Sequence, residues 1–320
     1  MRALVTGGAG FIGSNLVEAL LRRGDDVLVL DNFATGRRQN LSRAGAWAKA
    51  GGGRYELIEG DIRDEATVRR AMAGREVVLH QAAIPSVARS VADPMTSHTV
   101  NVDGTLTLLL AARDAGVRRF VMASSSSLYG ESPSLPKVET MPSDPISPYG
   151  LDKLAGETYC RLFARLYGLP TVALRYFNVF GPRQDPASEY AAVIPRFATA
   201  ILAGTSPTIY GDGQQTRDFT FIANVVDANL RSAEAPENAC GEAYNIACGE
   251  RISLLDLVAA INRLAGGSVR AAHAERRAGD IQHSLADIGK ARRLLGYVPR
   301  VGLEEGLTRT IEHLRAPDGA

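Results

Sequence analysis

Residues 3–13 of the chain read Ala-Leu-Val-Thr-Gly-Gly-Ala-Gly-Phe-Ile-Gly, a short apolar run that leads directly into a glycine-rich turn. Gly8, Gly10 and Gly13 satisfy the spacing GxGxxG, and Gly7 with the last two satisfies GxxGxxG. Either spacing permits a tight turn, close backbone approach to a pyrophosphate, and close packing of the following helix on the strand. The phosphates would lie at the helix N-terminus, where free N–H groups and the helix dipole favour anions. The stretch predicts a dinucleotide site, although a merely tight strand–helix turn has the same spacing.

Short apolar runs alternate with helical patterns through the first half of the chain. In the first helical pattern, Ile12, Leu16 and Leu20 share one face. Strand–helix–strand repetition with buried runs is typical of right-handed βαβ units, whose parallel sheet is covered by helices on both faces. We therefore predict an α/β fold built on a doubly wound parallel Rossmann sheet. Its buried strands are expected at residues 3–5, 27–30, 57–58, 77–79, 120–122 and 171–174.

The alternation loosens after residue 178, where prolines and glycines separate shorter elements. A smaller α/β substrate domain is expected there, interleaved with the first domain. The dinucleotide domain is predicted to cover 1–178 and a returning segment at about 218–235, and the substrate domain 179–217 and 236–320. Helical patterns are expected near 191–203, 223–233, 253–265 and 303–314.

Composition excludes several classes of protein. The 320 residues include 36 Lys plus Arg and 35 Asp plus Glu, so the net charge of +1 gives no reason to expect a nucleic-acid or anionic-membrane partner. Three cysteines and five histidines lack the spacings of a disulfide scaffold or a metal site. No apolar run approaches the roughly 18 residues of a membrane span. The beginning of the chain does not have the pattern of a signal peptide. We expect a soluble cytoplasmic protein.

Tyr149 and Lys153 have the spacing YxxxK at the start of a predicted helix. The chain has ten tyrosines but only four lysines, so this pairing is informative, although a surface Tyr–Lys pair is the alternative. A tyrosine with a pKa of about 10 is a poor base at neutral pH. A lysine ammonium and a positive nicotinamide ring stabilise the phenolate and lower that pKa. Both side chains are expected to point away from a buried face formed by Leu151, Leu154, Leu162 and Leu166.

Polar residues follow the predicted strands at their carboxyl ends, where open parallel sheets bind ligands. The carboxylate of Asp31 suits both ribose hydroxyls of NAD and repels the 2′-phosphate of NADP, although a strand-end cap is the alternative role. Arg37 and Arg38 nearby carry the opposite charge, yet NAD remains the favoured cofactor. Asp61 suits the adenine amino group, and residues 81–83 (Gln-Ala-Ala) allow backbone to pass close to the cofactor.

Four consecutive serines, residues 124–127, follow the fifth predicted strand. A hydroxyl at this sheet edge can hydrogen-bond the substrate oxygen that loses and regains a proton. The run leaves the individual assignment ambiguous, because a plain polar loop accounts for at least two of its members.

The glycine-rich turn, the serines, Tyr149 and Lys153, in this order, resemble the extended short-chain dehydrogenase/reductase family over nearly the whole chain. Further motifs look like those of nucleotide-sugar 4-epimerases: Asn101 in Asn-Val-Asp-Gly-Thr, the run 175–182 (Arg-Tyr-Phe-Asn-Val-Phe-Gly-Pro), Arg217-Asp218-Phe219, and Arg277-Ala278-Gly279-Asp280. The resemblance implies bound NAD, a UDP-sugar substrate, a role in polysaccharide biosynthesis and a homodimer. It makes Ser125, Tyr149 and Lys153 the catalytic residues.

The same resemblance implies two sets of contacts. The cofactor is expected on Gly7, Gly10, Phe11, Ile12, Gly13, Asp31, Asn32, Gly36, Asp61, Ile62, Gln81, Ala82, Ala83, Asn101, Ser124, Tyr149, Lys153 and Tyr176. The substrate is expected on Ser86, Arg89, Ser125, Ser126, Tyr149, Asn178, Ala192, Val193, Tyr210, Arg217, Arg277, Asp280 and Ser284. Arginines suit the diphosphate because their planar forks bind it through two hydrogen bonds.

Two departures from related enzymes narrow the predicted reaction. Ser125 and Ser126 stand where 4,6-dehydratases carry Asp-Glu and UDP-glucuronate decarboxylases carry Glu, so neither chemistry has its acid. Ser284 stands where strict UDP-glucose epimerases carry tyrosine, and a small side chain leaves room for a 2-N-acetyl group. Together with Gln81 and residues 86–90 and 190–195, this looks most like bacterial UDP-N-acetylglucosamine 4-epimerases. Ser284 as a simple small loop residue is the alternative.

Other hypotheses remain open. UDP-glucose or UDP-glucuronate is the alternative substrate, because Arg89 and Arg183 suit a uronate carboxylate. A reductase that releases NADH at each turnover is a second enzymatic possibility, and a non-catalytic NAD-binding sensor is the hypothesis of another class. The dimer is expected through helices at about 101–115 and 149–168, with Leu108, Leu109, Phe163 and Tyr167 as surface candidates that are equally compatible with the core.

Overall fold

A computed structural model of the chain describes residues 1–186, 192–276 and 281–316. In these ranges the strands are β1 (Arg2–Thr6), β2 (Asp26–Asp31), β3 (Tyr55–Glu59), β4 (Val77–His80), β5 (Arg119–Ser125), β6 (Thr171–Tyr176), β7 (Val179–Phe180), β8 (Thr208–Tyr210), β9 (Thr216–Arg217), β10 (Thr220–Phe221), β11 (Glu242–Ile246), β12 (Ile252–Ser253) and β13 (Ala272–Ala274). The helices are α1 (Phe11–Arg22), α2 (Ala44–Gly51), α3 (Glu65–Met72), α4 (Val87–Ala92), α5 (Pro94–His98), α6 (Gly104–Asp114), α7 (Pro148–Tyr167), α8 (Val193–Leu202), α9 (Ile222–Glu234), α10 (Leu254–Ala265), α11 (Gly289–Leu295) and α12 (Leu303–Arg315).

Seven parallel strands form the central sheet in the order β3-β2-β1-β4-β5-β6-β11, which confirms the predicted doubly wound fold. β1 pairs with β2 on one side and β4 on the other, so Leu4 lies between Leu28 and Val78. The strand order reverses between β1 and β4, and in such sheets the ligand crevice lies outside the carboxyl ends at that point. All six predicted strands are present.

One predicted strand is less buried than expected. β3 is an edge strand, paired only with β2, and Leu57 is 38% exposed. The prediction that this run is buried was wrong, because an apolar pair at a sheet edge has a neighbour on only one side.

The packing of α7 also differs from the prediction. Leu151 is 56% exposed and Leu166 is 63% exposed, whereas Lys153 and Phe163 are each 4% exposed. The leucine face was therefore wrongly assigned, since Lys153 lies on the buried side and Leu151, Leu162 and Leu166 lie on the exposed side. Of the four leucines, Leu154 is partly buried and packs against the core. Gly156 explains the choice: a Cβ there would lie 2.4 Å from Met122 Cε of β5, so the helix contacts the sheet through its small-residue face.

The predicted dimer candidates divide in the same way. Leu108 and Leu109 of α6 are fully buried in the core, as is Phe163 of α7. Of the two positions left open for these three residues, the core is the one that the structure shows. Tyr167 is 51% exposed and stays one.

The sheet takes in one segment that the predicted division gave to the substrate domain. β11 pairs in parallel with β6, with Ala243 opposite Ala173, so residues 242–246 belong to the sheet. The other predicted boundaries stay predictions. The helical patterns of the second half form α8, α9, α10 and α12 among the described residues, and three two-stranded pairs lie beside them.

No helix in the described part of the chain has the length and apolarity needed to cross a membrane. Within the same residues, no three His, Cys, Asp or Glu side chains converge as metal ligands would.

Candidate functional site

The glycine-rich turn between β1 and α1 is held by contacts that no side chain would allow. Gly7 has a φ of +68°, and a Cβ there would lie 2.6 Å from the backbone nitrogen of Ala82. A Cβ on Gly13 would lie 2.0 Å from the Gly7 carbonyl oxygen. Gly10 caps α1, whose first turn carries no acidic side chain. The turn is therefore a close-packed cradle that opens onto a helix N-terminus, which fits a pyrophosphate.

A cleft of about 610 Å³ runs along the carboxyl edge of the sheet from this cradle. The predicted residues that line it are Gly7, Gly10, Phe11, Ile12, Gly13, Asp31, Asn32, Asp61, Ile62, Gln81, Ala82, Ala83, Ser86, Arg89, Ser124, Tyr149, Lys153, Tyr176 and Ala192. Residues that the sequence did not single out also line it, including Thr35, Asn40, Ile84, Val100, Gln184 and Asp185. Four of these residues lie in loops, and Asn40 and Val100 lie in short helical turns. Hydrophobic periodicity gives no signal in such segments.

Asp31 caps the end of β2, and its contact with the ribose of NAD stays a prediction. Its Oδ2 accepts the Ala9 N–H at 2.8 Å and its Oδ1 accepts the Phe33 N–H at 2.8 Å, so it braces the glycine turn as a strand-end cap. It also lines the cleft, where burial raises the pKa of its carboxyl. Gly36 does not line the cleft but packs beneath it, since a Cβ there would lie 2.8 Å from Ala9 Cβ.

Asp61 is paired within the protein. The Arg63 guanidinium donates to both of its oxygens, at 2.9 and 2.8 Å, and Asn32 Nδ2 donates to Oδ2 at 3.1 Å. These bonds hold the pKa of the Asp61 carboxyl below its usual value. Asp61 is thus a fixed acceptor at the cleft wall.

Three polar side chains tie the floor of the cleft to α9. Tyr176 Oη donates to Gln81 Oε1 at 3.2 Å, and Gln81 Nε2 donates to Asn229 Oδ1 at 3.0 Å. Asn229 Nδ2 closes the ring by donating to Tyr176 Oη at 2.8 Å. No sequence pattern singles out Asn229, which lies on a helix distant in the chain.

The predicted catalytic residues meet where α7 begins against the end of β5. The Tyr149 hydroxyl hydrogen-bonds Ser125, and its backbone N–H donates to Ser90 Oγ at 3.0 Å. Lys153 Nζ donates to the Ala123 carbonyl at 2.8 Å and lies 5.8 Å from the centre of the Tyr149 ring. Ser147 caps α7 and Pro148 is its first residue. Since Tyr149 and Lys153 are four residues apart in this helix, they lie on successive turns of the same face.

Burial is the largest influence on the pKa values of Tyr149 and Lys153. It raises the pKa of Tyr149, and the Ser125 hydrogen bond opposes that shift. It lowers the pKa of Lys153 to about 8, with the nearby Asp152 carboxylate opposing it. The lowered tyrosine pKa expected from the sequence is therefore absent when only protein groups act. The positive nicotinamide is the remaining source of stabilisation for a phenolate.

Several predicted residues lie outside the lining of the cleft: Asn101, Ser125, Ser126, Asn178, Val193, Tyr210, Arg217 and Ser284. Asn178 Nδ2 donates to the Asp218 carbonyl at 2.9 Å, and the backbone N–H of Ser284 donates to the Thr216 carbonyl at 3.0 Å. Asn101 is buried behind the wall. Tyr190, Ala191, Arg277 and Asp280 lie outside the described residues.

Comparisons with known proteins agree with this site. The model of the NAD dependent epimerase/dehydratase family matches residues 3–247. The UDP-glucose 4-epimerase of Mycolicibacterium smegmatis is 43% identical over 98% of this chain and 99% of its own length. The UDP-glucose 4-epimerase of Thermotoga maritima, solved with UDP-glucose, has a TM-score of 0.92 at 38% identity and covers 99% of both chains.

A third relative has a different named substrate. The UDP-N-acetylglucosamine 4-epimerase of Methanobrevibacter ruminantium, solved with UDP-N-acetylmuramic acid, has a TM-score of 0.93 at 38% identity. It covers 99% of this chain and 98% of its own. With the glycine cradle, Asp31 and the Tyr149–Lys153 pair lining one cleft, these matches leave no doubt about the family. The chain belongs to the NAD-dependent epimerase/dehydratase family, and NAD is its cofactor.

Proposed function

We propose that the protein interconverts the C4 epimers of a UDP-sugar, with bound NAD returned to its starting state in each cycle. One observation carries the proposal: the Tyr149 hydroxyl, bonded to Ser125, lies with Lys153 in the same cleft as the glycine cradle. A protein that only bound the dinucleotide would need the cradle but no base, which argues against the sensor hypothesis. The similarity to named UDP-sugar 4-epimerases supports the same conclusion.

The residues divide the chemistry as follows. Tyr149 takes the proton of the C4 hydroxyl and returns it after the 4-keto sugar has turned its other face. Ser125 holds the shifting proton through its bond to the Tyr149 oxygen. Lys153, fixed on the Ala123 carbonyl, supplies positive charge beside the phenolate. NAD, when bound, supplies the hydride acceptor and donor for C4. The cradle, Asp31 and Asp61 would hold it.

We propose UDP-N-acetylglucosamine and UDP-N-acetylgalactosamine as the preferred pair. The small Ser284 supports this choice, and UDP-glucose is the first alternative. UDP-glucuronate is the second alternative. Of its two predicted arginines, Arg183 forms an ion pair with Glu18 and lies over the Trp47 ring at 5.0 Å. Arg89 and Arg183 both line the cleft and stay the predicted carboxylate partners of this alternative substrate.

We further propose that two copies associate through the exposed face of α6 and α7, in the cytoplasm. Leu110, Leu151, Leu162 and Leu166 are between 37% and 63% exposed. Such a row of leucines is costly in water and typical of a surface that another chain covers. Sedimentation of wild type should give a dimer and of Leu166→Glu a monomer, and a monomeric wild type at micromolar concentration would refute this.

The activity is tested by incubating the purified protein, without added cofactor, separately with UDP-N-acetylglucosamine, UDP-glucose and UDP-glucuronate. NMR then resolves the C4 epimers. We expect conversion of the first at the highest rate. Selective conversion of UDP-glucuronate would overturn the substrate, whereas a requirement for stoichiometric NADH would favour the reductase. Copurified NAD with no conversion of any sugar would favour the sensor.

A further inference from the structure

Asp152 is a buried carboxylate that the proposed chemistry does not use. It lies on α7 between Tyr149 and Lys153 and is 3% exposed. Its Oδ2 accepts the Ser97 hydroxyl at 2.6 Å and the Asn101 amide at 3.4 Å. An ionised group at such depth is costly unless hydrogen bonds and opposite charge compensate it. Its neighbours therefore indicate what it does.

The hydrogen bonds lead from α7 to the wall of the cleft. Asn101 Oδ1 accepts the Ile84 N–H at 2.8 Å, and Asn101 Nδ2 donates to the Ile84 carbonyl at 3.2 Å. Ile84 lines the cleft. Asn101 thus hydrogen-bonds both backbone groups of Ile84. The Asn101 amide in turn donates to Ser97 and Asp152, which hold it in place. This connects the helix of the catalytic pair to the loop after β4.

The charge of Asp152 acts on its neighbours in α7. Burial disfavours the Lys153 ammonium, and Asp152 is the main carboxylate that offsets this, so the pKa of Lys153 stays near 8 and the side chain remains largely protonated at neutral pH. The same charge raises the pKa of Tyr149. His98 Nδ1 lies 3.6 Å from Asp152 Oδ1 and is half exposed, with Asp103 at 4.0 Å on its other nitrogen.

We propose that Asp152 is a positioning residue of the active site: through Ser97 and Asn101 it joins the Tyr149–Lys153 helix to the backbone of Ile84, and it places a buried carboxylate next to Lys153 in the chain. The inference rests on the proposed function for the catalytic role of Tyr149 and Lys153. The charge of Lys153, however, is a property of the protein without substrate. The inference therefore can be tested without any sugar substrate.

The test follows the four lysines by NMR of protein labelled with ¹³C at lysine Cε. The Lys153 signal is assigned by its loss in Lys153→Arg, and its titration is compared in wild type, Asp152→Asn, Ser97→Ala and Asp103→Asn. Asp152→Asn keeps the size and an acceptor for Ser97 but removes the charge. We expect the Lys153 pKa to fall by about 1 pH unit in this variant.

The other two variants separate position from charge. Ser97→Ala keeps the carboxylate, so the Lys153 pKa should stay within a few tenths of wild type while kcat falls several-fold. Asp103→Asn removes an exposed charge and should change neither. An unchanged Lys153 pKa in Asp152→Asn overturns the inference whether or not any UDP-sugar is converted. If Asp152→Asn does not fold, a fall of 1 unit in Ser97→Ala overturns it, since the charge would then not be what sets the pKa.

Discussion

Replacing Gly13 with alanine tests the glycine cradle most severely. The added Cβ would lie 2.0 Å from the Gly7 carbonyl oxygen, a backbone atom that cannot rotate away. Ordinary contacts of a Cβ begin near 3.4 Å, so α1 and the turn must separate by more than 1 Å. Forced overpacking of this kind costs about 1–3 kcal/mol. Displacement of the helix N-terminus from the phosphates would separately weaken the binding free energy of NAD by at least about 1.4 kcal/mol, which is a tenfold loss of affinity.

The assay measures two quantities on one preparation: the NAD released by acid per mole of protein, and the melting temperature with and without added NAD. Gly13→Ala should copurify with little NAD and melt several degrees lower. Gly45→Ala is the matched control, because a Cβ there meets nothing within 4 Å in α2, and alanine should leave NAD content unchanged. Full NAD content and an unchanged melting temperature in Gly13→Ala would refute the claim that the glycine cradle binds the phosphates of NAD.

Four further predictions concern the catalytic residues, the buried network and the sugar site. Tyr149→Phe should lower turnover by about 10²–10⁴-fold with NAD still bound, whereas Tyr159→Phe on the same helix should stay active; equal activity in both contradicts the base assignment. Glu157→Gln should destabilise the protein by about 3–5 kcal/mol in urea titrations, because Glu157 accepts both Arg175 at 2.6 Å and Ser124 at 3.0 Å in the interior. Ser284→Tyr should slow UDP-N-acetylglucosamine more than tenfold while UDP-glucose is still converted; equal slowing of both argues for a simple loop residue. Burial raises the pKa of Asp218 to about 6, so the folded state binds this proton more tightly than the unfolded chain, and stability should fall by roughly 3 kcal/mol as pH rises from about 4 to 6. Denaturation across this range should show a flatter profile for Asp218→Asn, and identical slopes would contradict the assignment.

The parts of the fold that the sequence predicts well are those set by local chemistry. The glycine spacing of residues 7–13 marks a turn that only glycine fits, and β-type apolar runs mark the strands. The strands alternate with helices, and that alternation restricts the topology to parallel crossovers. The prediction that Tyr149 and Lys153 lie together is likewise local, because residues four apart in a helix are neighbours on one face.

The errors come from relations that only the tertiary structure establishes. Leucine spacing on α7 shows a stripe but not which side meets the sheet, and the approach of Gly156 to Met122 decides that. β11 lies in a segment without the helix–strand rhythm, so its pairing with β6 had no local signal. Asn229 and Asp185 reach the cleft or its floor from distant parts of the chain.

The most direct test of C4 epimerisation uses a UDP-sugar deuterated at C4, incubated in ordinary water with the protein as purified. If the C4 hydrogen leaves and returns within one closed cleft, the deuterium remains at C4 in both epimers, and no added cofactor is needed. NMR of the product at equilibrium measures that retention. Full retention is the predicted result, and replacement of the deuterium by solvent hydrogen would contradict the mechanism.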